Sequence, residues 1–275
     1  MDYFQYSFTT DPTQNEVLIA LLSHLPFDTF EENETGFNAF VPANASLDEM
    51  EADIADLRQQ FDFEVEKTLI PGQNWNEIWE SNFHPVIVGD FCGIRADFHE
   101  PLPDVTYELV INPKMAFGTG HHETTFSVIE IMEGIQFEGK SVLDYGCGTG
   151  VLAILASRLG AKQVEAVDIE IESYRNTVEN SAINGVSNVQ AFHGILSDVP
   201  GVDFDIILAN INRNVILDSL GPLSKLLKPA GLLVVSGFVL DDEPLMLESL
   251  QKQGFEVLEI KRKNNWLAMK TQKTG

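Results

Sequence analysis

The sequence predicts an α/β protein, with a mostly parallel sheet ending in an antiparallel hairpin and a small α+β ferredoxin-like domain in front. Three observations predict it. The first 70 residues follow the order β-α-β-β-α-β, which is that of a ferredoxin-like unit. Ser141-Val142-Leu143 then runs as a buried strand into Asp144-Tyr145-Gly146-Cys147-Gly148-Thr149-Gly150, and an unbroken helical stretch follows over 151–160. From there strands and helices alternate until two strands, 255–260 and 266–269, meet at Asn264-Asn265, as a hairpin on an otherwise parallel sheet does.

In the small domain, Phe4, Tyr6 and Phe8 alternate along a first strand. Thr13 and Glu16 fit a capping box, and Leu18, Leu21, Leu22 and Leu25 form the apolar stripe of the helix behind it. Strands over 27–32 and 37–41 flank the turn-rich Asn33-Glu34-Thr35-Gly36. Ser46 and Glu49 suggest a second capping box ahead of Met50, Ile54 and Leu57, and Phe61, Phe63, Val65 and Leu69 alternate as the closing strand. This domain, 1–70, carries no catalytic constellation and reads as a recognition module. Pro71-Gly72-Gln73-Asn74 breaks the pattern, and Trp75, Trp79 and Phe83 share one face of a linking helix over 71–83. The second domain, 84–275, opens with a hairpin around Gly89-Asp90 and a strand over 107–111.

After the glycine turn come a strand over 164–167 ending at Asp168, a helix over 171–183 and a strand over 189–192. A strand over 203–210 ends at Asn210, a helix over 214–227 is closed by Lys228-Pro229-Ala230-Gly231, and a strand over 232–236 precedes a helix over 243–253. A strand, a glycine-rich turn and a helix start together bring backbone N–H groups up to a polar or anionic ligand. Asp168 lies 18 residues beyond Gly150, at the tip of the next strand, where a carboxylate accepts both hydroxyl hydrogen bonds of a ribose. The spacing Gly146-x-Gly148-x-Gly150 followed by Val151 disfavours a dinucleotide enzyme, which calls for G-x-G-x-x-G.

Composition narrows the function further. With 44% hydrophobic residues the chain is an ordinary globular protein. The longest nearly apolar stretch, 232–240, is too short to cross a bilayer, and the polar start Met1-Asp2-Tyr3-Phe4-Gln5 lacks a signal pattern. A cytoplasmic protein is the expectation. Seventeen basic against 42 acidic residues leave a net charge of −25, a field that repels nucleic acid phosphates and favours a cationic partner. Cys92 and Cys147 alone make neither a disulfide scaffold nor a zinc site. His122-Glu123 resembles the start of an H-E-x-x-H metal motif, but Phe126 stands where the second histidine belongs, so zinc is rejected.

The glycine turn resembles motif I of the seven-stranded, class I S-adenosylmethionine-dependent methyltransferases, whose core is Rossmann-like. Ala116-Phe117-Gly118-Thr119-Gly120-x-His122-x-Thr124-Thr125, together with Asp168 and Ala209-Asn210-Ile211, is similar to a narrower group. These are the PrmA methyltransferases, which modify protein eleven of the large ribosomal subunit, and the likeness extends over nearly the whole chain. By position, the resemblance implies S-adenosylmethionine contacts at Thr125, Gly146, Asp168 and Asn210. Gly148 of the same turn, with Gly118 and Thr119 of the loop, joins that set. It implies that the first domain recognises the ribosomal protein, free or on the ribosome, and that the chain acts as a monomer with no nucleic acid or membrane partner. The chain departs from the family where His121 and Glu123 replace a more usual threonine and proline, and again at Asn212-Arg213-Asn214.

The chemistry expected is methyl transfer to lysine ε-amines, with the N-terminal α-amine as a further acceptor. Asn210 orients the neutral amine, Phe117 and Trp266 exclude water, and His122 relays the proton. Two other readings compete with this one. A methyltransferase for a nucleobase or glutamine amide usually carries N/D-P-P-Y after the fourth strand, and Asn210-Ile211-Asn212-Arg213 lacks both prolines and the aromatic clamp. A non-catalytic adaptor would not need an intact Gly146, Asp168 and Asn210 set.

Overall fold

The computed structural model describes residues 2–70, 84–112 and 118–274, apart from the side chain of Asp48. The chain divides into two compact units, Met1–Asn82 and Phe83–Gly275. The expected linking helix with Trp75, Trp79 and Phe83 lies outside the described residues, as does Phe117. No helix among the described residues is long and apolar enough to cross a membrane.

The first unit has the order β1 (Tyr3–Thr9), α1 (Asn15–Leu22), β2 (Thr29–Asn33), β3 (Gly36–Pro42), α2 (Asp48–Leu57) and β4 (Glu64–Ile70). Its sheet runs β2-β3-β1-β4, antiparallel throughout. The period-2 alternation buries Tyr6 and Phe8 of β1 with Phe37, Ala39 and Val41 of β3, against Leu18 and Leu22 of α1 and Met50 and Ile54 of α2. Three local expectations are corrected. Leu21 is exposed, one step round α1 from the buried Leu18 and Leu22. The Thr13–Glu16 box does not form, because the Asp11 carboxylate accepts both the Thr13 N–H and its hydroxyl, at 2.9 and 2.8 Å, and caps a 3-10 turn over Pro12–Gln14. Nor does Ser46 cap α2. Leu47 takes the N-cap position without a side-chain bond and packs against the core, moving the helix start by one residue.

The second unit opens with a small sheet of β5 (Val86–Val88), β6 (Cys92–Arg95) and β7 (Tyr107–Val110), with β5/β6 antiparallel and β6/β7 parallel. The main sheet has seven strands. They are β8 (Ser141–Tyr145), β9 (Gln163–Asp168), β10 (Val189–His193), β11 (Phe204–Asn210), β12 (Leu227–Val239), β13 (Phe255–Lys263) and β14 (Trp266–Lys273). Their order is β10-β9-β8-β11-β12-β14-β13. Only β14 runs against the rest, inserted between β12 and β13.

The helices are α3 (Glu123–Glu133), α4 (Val151–Arg158), α5 (Ile171–Ile183), α6 (Arg213–Leu226) and α7 (Glu243–Lys252). Alternation along the strands sorts the core into two layers. Ile206 and Leu208 of β11 pack with α3 and α4 on one face, while Ile207 and Ala209 pack with α6 and α7 on the other. Burial on both faces is why this strand reads as a continuous apolar run. One boundary differs from expectation. The segment after α6 is already strand, since Leu227 pairs with Phe204 and pairing resumes only at Leu232 with Ile206. Lys228-Pro229-Ala230-Gly231 bulges out between those pairs, with Ala230 at φ +56°.

The order of the strands fixes where a ligand can sit. Chain connections leave β8 towards β9 on one side and reach β11 on the other, so the crevice opens at the carboxyl ends of β8 and β11.

Candidate active site

A cavity of about 850 Å³ occupies that crevice, within the range of small-molecule sites. Its wall follows the sheet from Asp168 at the end of β9 through Gly146 after β8, Asn210 at the end of β11 and Gly237 in β12 to Trp266 at the start of β14. Four strand spacings separate β9 from β14, roughly 19 Å at 4.8 Å each. The cavity is therefore elongated, with a carboxylate at one end and an aromatic ring at the other.

The turn is shaped by backbone bonds. Gly146 and Cys147 N–H groups both donate to the Val167 carbonyl, at 2.8 and 3.2 Å, and the Gly150 N–H donates to the Cys147 carbonyl at 2.8 Å. Gly146 has φ +76°, and a Cβ there would lie 2.1 Å from Ile211 Cγ2. Only glycine fits both the left-handed backbone and that close approach. Cys147 is buried beneath the turn, its thiol pushed up by burial, and Thr177 Oγ1 donates to its Sγ at 3.2 Å. It is a packed neutral group, as expected for a small side chain under a tight loop. Asp144 is also buried, accepts the Ala153 N–H at 3.0 Å, and is pushed up to about 7 by burial and by the negative charge of Asp168.

Asp168 stands half-buried at the cavity edge. Its Oδ2 accepts the Gly148 N–H at 2.9 Å and its Oδ1 the Glu170 N–H at 2.9 Å. Each bond uses one lone pair, so both oxygens retain acceptor capacity towards a diol. Asn210 is the second polar landmark. Its Nδ2 donates to Thr125 Oγ1 at 3.0 Å, while its Oδ1 is buried without a partner among the described residues. An orphaned buried acceptor on a cavity wall marks a place where a ligand's N–H or O–H completes the bonding.

The other sequence candidates fall into two groups. His122 lines the cavity and caps α3, its Nδ1 accepting the Thr124 N–H at 3.3 Å, and its ring meets Trp266 edge to face at 4.6 Å. Thr125, Gly118 and Thr119 stand behind the wall. Thr125 is fully buried against Asn210. The Gly118 carbonyl accepts the Thr149 hydroxyl at 2.6 Å, and Thr119 Oγ1 lies 3.0 Å from His121 Nδ1. These three were expected as cofactor contacts. Thr125 holds the Asn210 amide, and Gly118 and Thr119 bond to Thr149 and His121, which do not line the cavity.

Sequence reasoning missed an asparagine ladder. Asn176 and Asn180 of α5 and its C-cap Asn184, at i, i+4 and i+8, reach residues 110–112. Asn184 Oδ1 accepts the Val110 N–H at 2.9 Å and its Nδ2 donates to the Val110 carbonyl at 2.6 Å. Asn180 accepts the Asn112 N–H at 3.1 Å and donates to the Thr149 carbonyl at 2.9 Å, and Asn176 donates to the Asn112 carbonyl at 3.1 Å. The ladder thus joins the glycine turn to residues 110–112. Its signal was the regular spacing of three amides on one helix face. Gly237 was missed as well. It has φ +103°, and a Cβ there would lie 2.0 Å from the Ile211 carbonyl oxygen, so this interior strand glycine marks a close backbone approach.

Among the described residues no three His, Cys, Asp or Glu side chains gather to hold a metal ion. The donor set fits S-adenosylmethionine instead. A carboxylate suits a ribose diol, the Gly146 backbone lines the cavity beside it, and an unsatisfied amide oxygen belongs to Asn210 midway along the wall.

Comparison with known proteins agrees with this geometry. The family model described as ribosomal protein L11 methyltransferase (PrmA) matches residues 11–274. The ribosomal protein L11 methyltransferase of Bacteroides fragilis is 39% identical over 278 residues, covering 98% of this chain and 99% of the relative. That of Porphyromonas gingivalis is 39% identical over 287 residues, covering 98% and 97%. The crystal structure of ribosomal protein L11 methylase from Lactobacillus delbrueckii subsp. bulgaricus superposes with a TM-score of 0.63 at 30% identity, covering 70% of this chain and all of that one.

Proposed function

The chain belongs to the ribosomal protein L11 methyltransferase family, and from that premise we propose that it methylates lysine ε-amino groups, and the N-terminal α-amino group, of ribosomal protein L11. S-adenosylmethionine is the cofactor. The observation that carries the reading is the elongated cavity, with Asp168 at one end and the unpaired Asn210 Oδ1 towards the other.

When bound, S-adenosylmethionine supplies an electrophilic methyl group on a sulfonium. Asp168 is assigned to the ribose hydroxyls, and Gly146 and Gly148 to the close backbone approach. At the other end the residues act on the acceptor. A lysine of ordinary pKa is neutral about once in 2,500 molecules at pH 7, a cost of roughly 4.6 kcal/mol. Desolvation at the cavity mouth, beside a cationic ligand, lowers that cost. Asn210 Oδ1 accepts an N–H of the neutral amine and so points its lone pair along the axis of transfer, and alignment of this kind is a large part of the rate in such displacements. Thr125 holds the amide of Asn210 in that orientation. Trp266 and His122, packed edge to face, close the same end against water. With Nδ1 accepting the Thr124 N–H, neutral His122 carries its proton on Nε2, so a relay through His122 requires the Nδ1 lone pair to leave Thr124.

The first unit, with no chemistry of its own, is assigned to recognition of the ribosomal protein, and the chain to a cytoplasmic monomer that takes its substrate free or on the ribosome. The charge of −25 supports a protein substrate rich in cationic side chains over a nucleic acid. Intact-mass spectrometry of L11 incubated with the protein and S-adenosylmethionine tests the proposal. Stepwise gains of one methyl mass on L11 are expected. Methyl label entering RNA with L11 unchanged would overturn it.

A further inference from the structure

The tip of the β13–β14 hairpin is fastened to the first turn of α3 by three successive contacts. Asn264 Nδ2 donates to Glu123 Oε1 at 2.9 Å. Lys263 Nζ lies 3.5 Å from the centroid of the Phe126 ring. Trp266 meets the His122 ring edge to face. From the opposite side the Leu240 N–H donates to the Asn265 carbonyl at 3.1 Å. Asn264 itself sits at φ +52°, a left-handed backbone that asparagine tolerates better than most residues.

Of these side chains only His122 and Trp266 line the cavity. The others act one step away from it. A two-residue hairpin turn is a projecting feature whose orientation is set by whatever it touches, and here it touches the helix whose N-cap is His122. Glu123 is held below the usual carboxylate range, first by the Asn264 hydrogen bond, so the ionised acceptor is the form that receives the amide. A charged acceptor strengthens such a bond.

We propose that Glu123 and Asn264, backed by Lys263 on Phe126, form a clasp that positions Trp266 against His122 and thereby sets the shape of the acceptor end of the cavity. Glu123 and Asn264 are positioning residues for methyl transfer. They touch neither cofactor nor reacting atoms. The inference rests on the assignment of Trp266 and Asn210 to the acceptor end.

Steady-state kinetics of the full chain with S-adenosylmethionine and L11 test the clasp, alongside calorimetric cofactor binding. Asn264→Asp sets two carboxylates against each other, and kcat/KM for L11 is expected to fall about tenfold. Cofactor affinity is expected to stay within about twofold, because the clasp lies off the cofactor end. Asn264→Gly, which suits the same backbone and removes the donor without adding charge, is expected to lose about fivefold. Glu123→Gln introduced into Asn264→Asp reverses donor and acceptor and is expected to recover most of the loss, which a merely destabilising change would not allow. An indifferent Asn264→Asp, or a loss that Glu123→Gln leaves in place, overturns the clasp alone. Absence of transfer to L11 by the unmodified chain overturns the parent reading and the clasp with it.

Discussion

Asn210 on the cavity wall and the buried Thr125 behind it share one hydrogen bond, Nδ2 to Oγ1 at 3.0 Å, and that bond decides which way the Asn210 amide faces. With Nδ2 committed to a fully buried hydroxyl, Oδ1 must face elsewhere, and it has no partner among the described residues. The orphaned acceptor is thus a product of the pair.

Thr125→Val keeps the shape and removes the hydroxyl. The amide of Asn210 then has a buried donor without an acceptor, and kcat with L11 is expected to drop about tenfold. Thr125→Ser, which restores the oxygen, is expected to recover it. Equal kcat for Val and Ser variants would show that the pair has no part in orienting the acceptor.

Asp168→Ala removes a carboxylate that supports two backbone N–H groups and is assigned to the ribose. Losing charge-assisted bonds at roughly 1.5–3 kcal/mol each, S-adenosylmethionine affinity is expected to fall on the order of 100-fold by calorimetry. Unchanged affinity would remove Asp168 from the cofactor site.

His122 has a capping duty as well as its proposed proton role, so replacement by alanine would confound the two. His122→Asn retains an N-cap acceptor while abolishing proton exchange. If His122 relays the proton, the pH profile of kcat flattens across pH 6 to 9 and the maximal rate declines. A profile that overlays the parent's ends that assignment.

Asp144 predicts a pH dependence of stability. Its folded pKa, about 7, lies above its ordinary value. From about pH 4 to pH 7 the unfolded chain has lost this proton while the folded chain keeps it, so stability falls as pH rises through that window and levels off above it. Asp144→Asn removes the effect while the amide oxygen still accepts the Ala153 N–H. Relative to the parent, the variant is expected to gain roughly 3 kcal/mol in urea unfolding between pH 5 and pH 8. The same difference at both pH values would contradict a protonated Asp144.

What was legible in the sequence was whatever local pattern alone dictates. The apolar run of Phe204 to Asn210 and the glycine turn after Leu143 announced strands, a switch point and a ligand, because apolar runs and backbone freedom are properties of short stretches. The capping boxes failed because Asp11 and Leu47 competed from positions a local motif does not weigh, one by charge and one by tertiary packing. The asparagine ladder escaped for a related reason. Three amides on one helix face resemble a solvated surface until residues 110–112, more than 60 positions earlier, are folded against them. Thr125, Gly118 and Thr119 were read as cofactor contacts by resemblance, while the hydrogen bonds that tie them to Asn210, Thr149 and His121 are a property of three dimensions only.

The place of β14 has a consequence for how the protein is made. It follows every other strand of the large sheet in the chain, yet it occupies an interior slot between β12 and β13. During synthesis β8 to β12 can assemble first, with their glycine turn, Asp168 and Asn210 in place. The flank of β12 meanwhile remains an unpaired edge, a hazard for association with other chains. The arrival of β14 seals that edge and delivers Trp266 in the same event. A nascent chain therefore forms the residues assigned to the cofactor before it acquires the wall assigned to the acceptor.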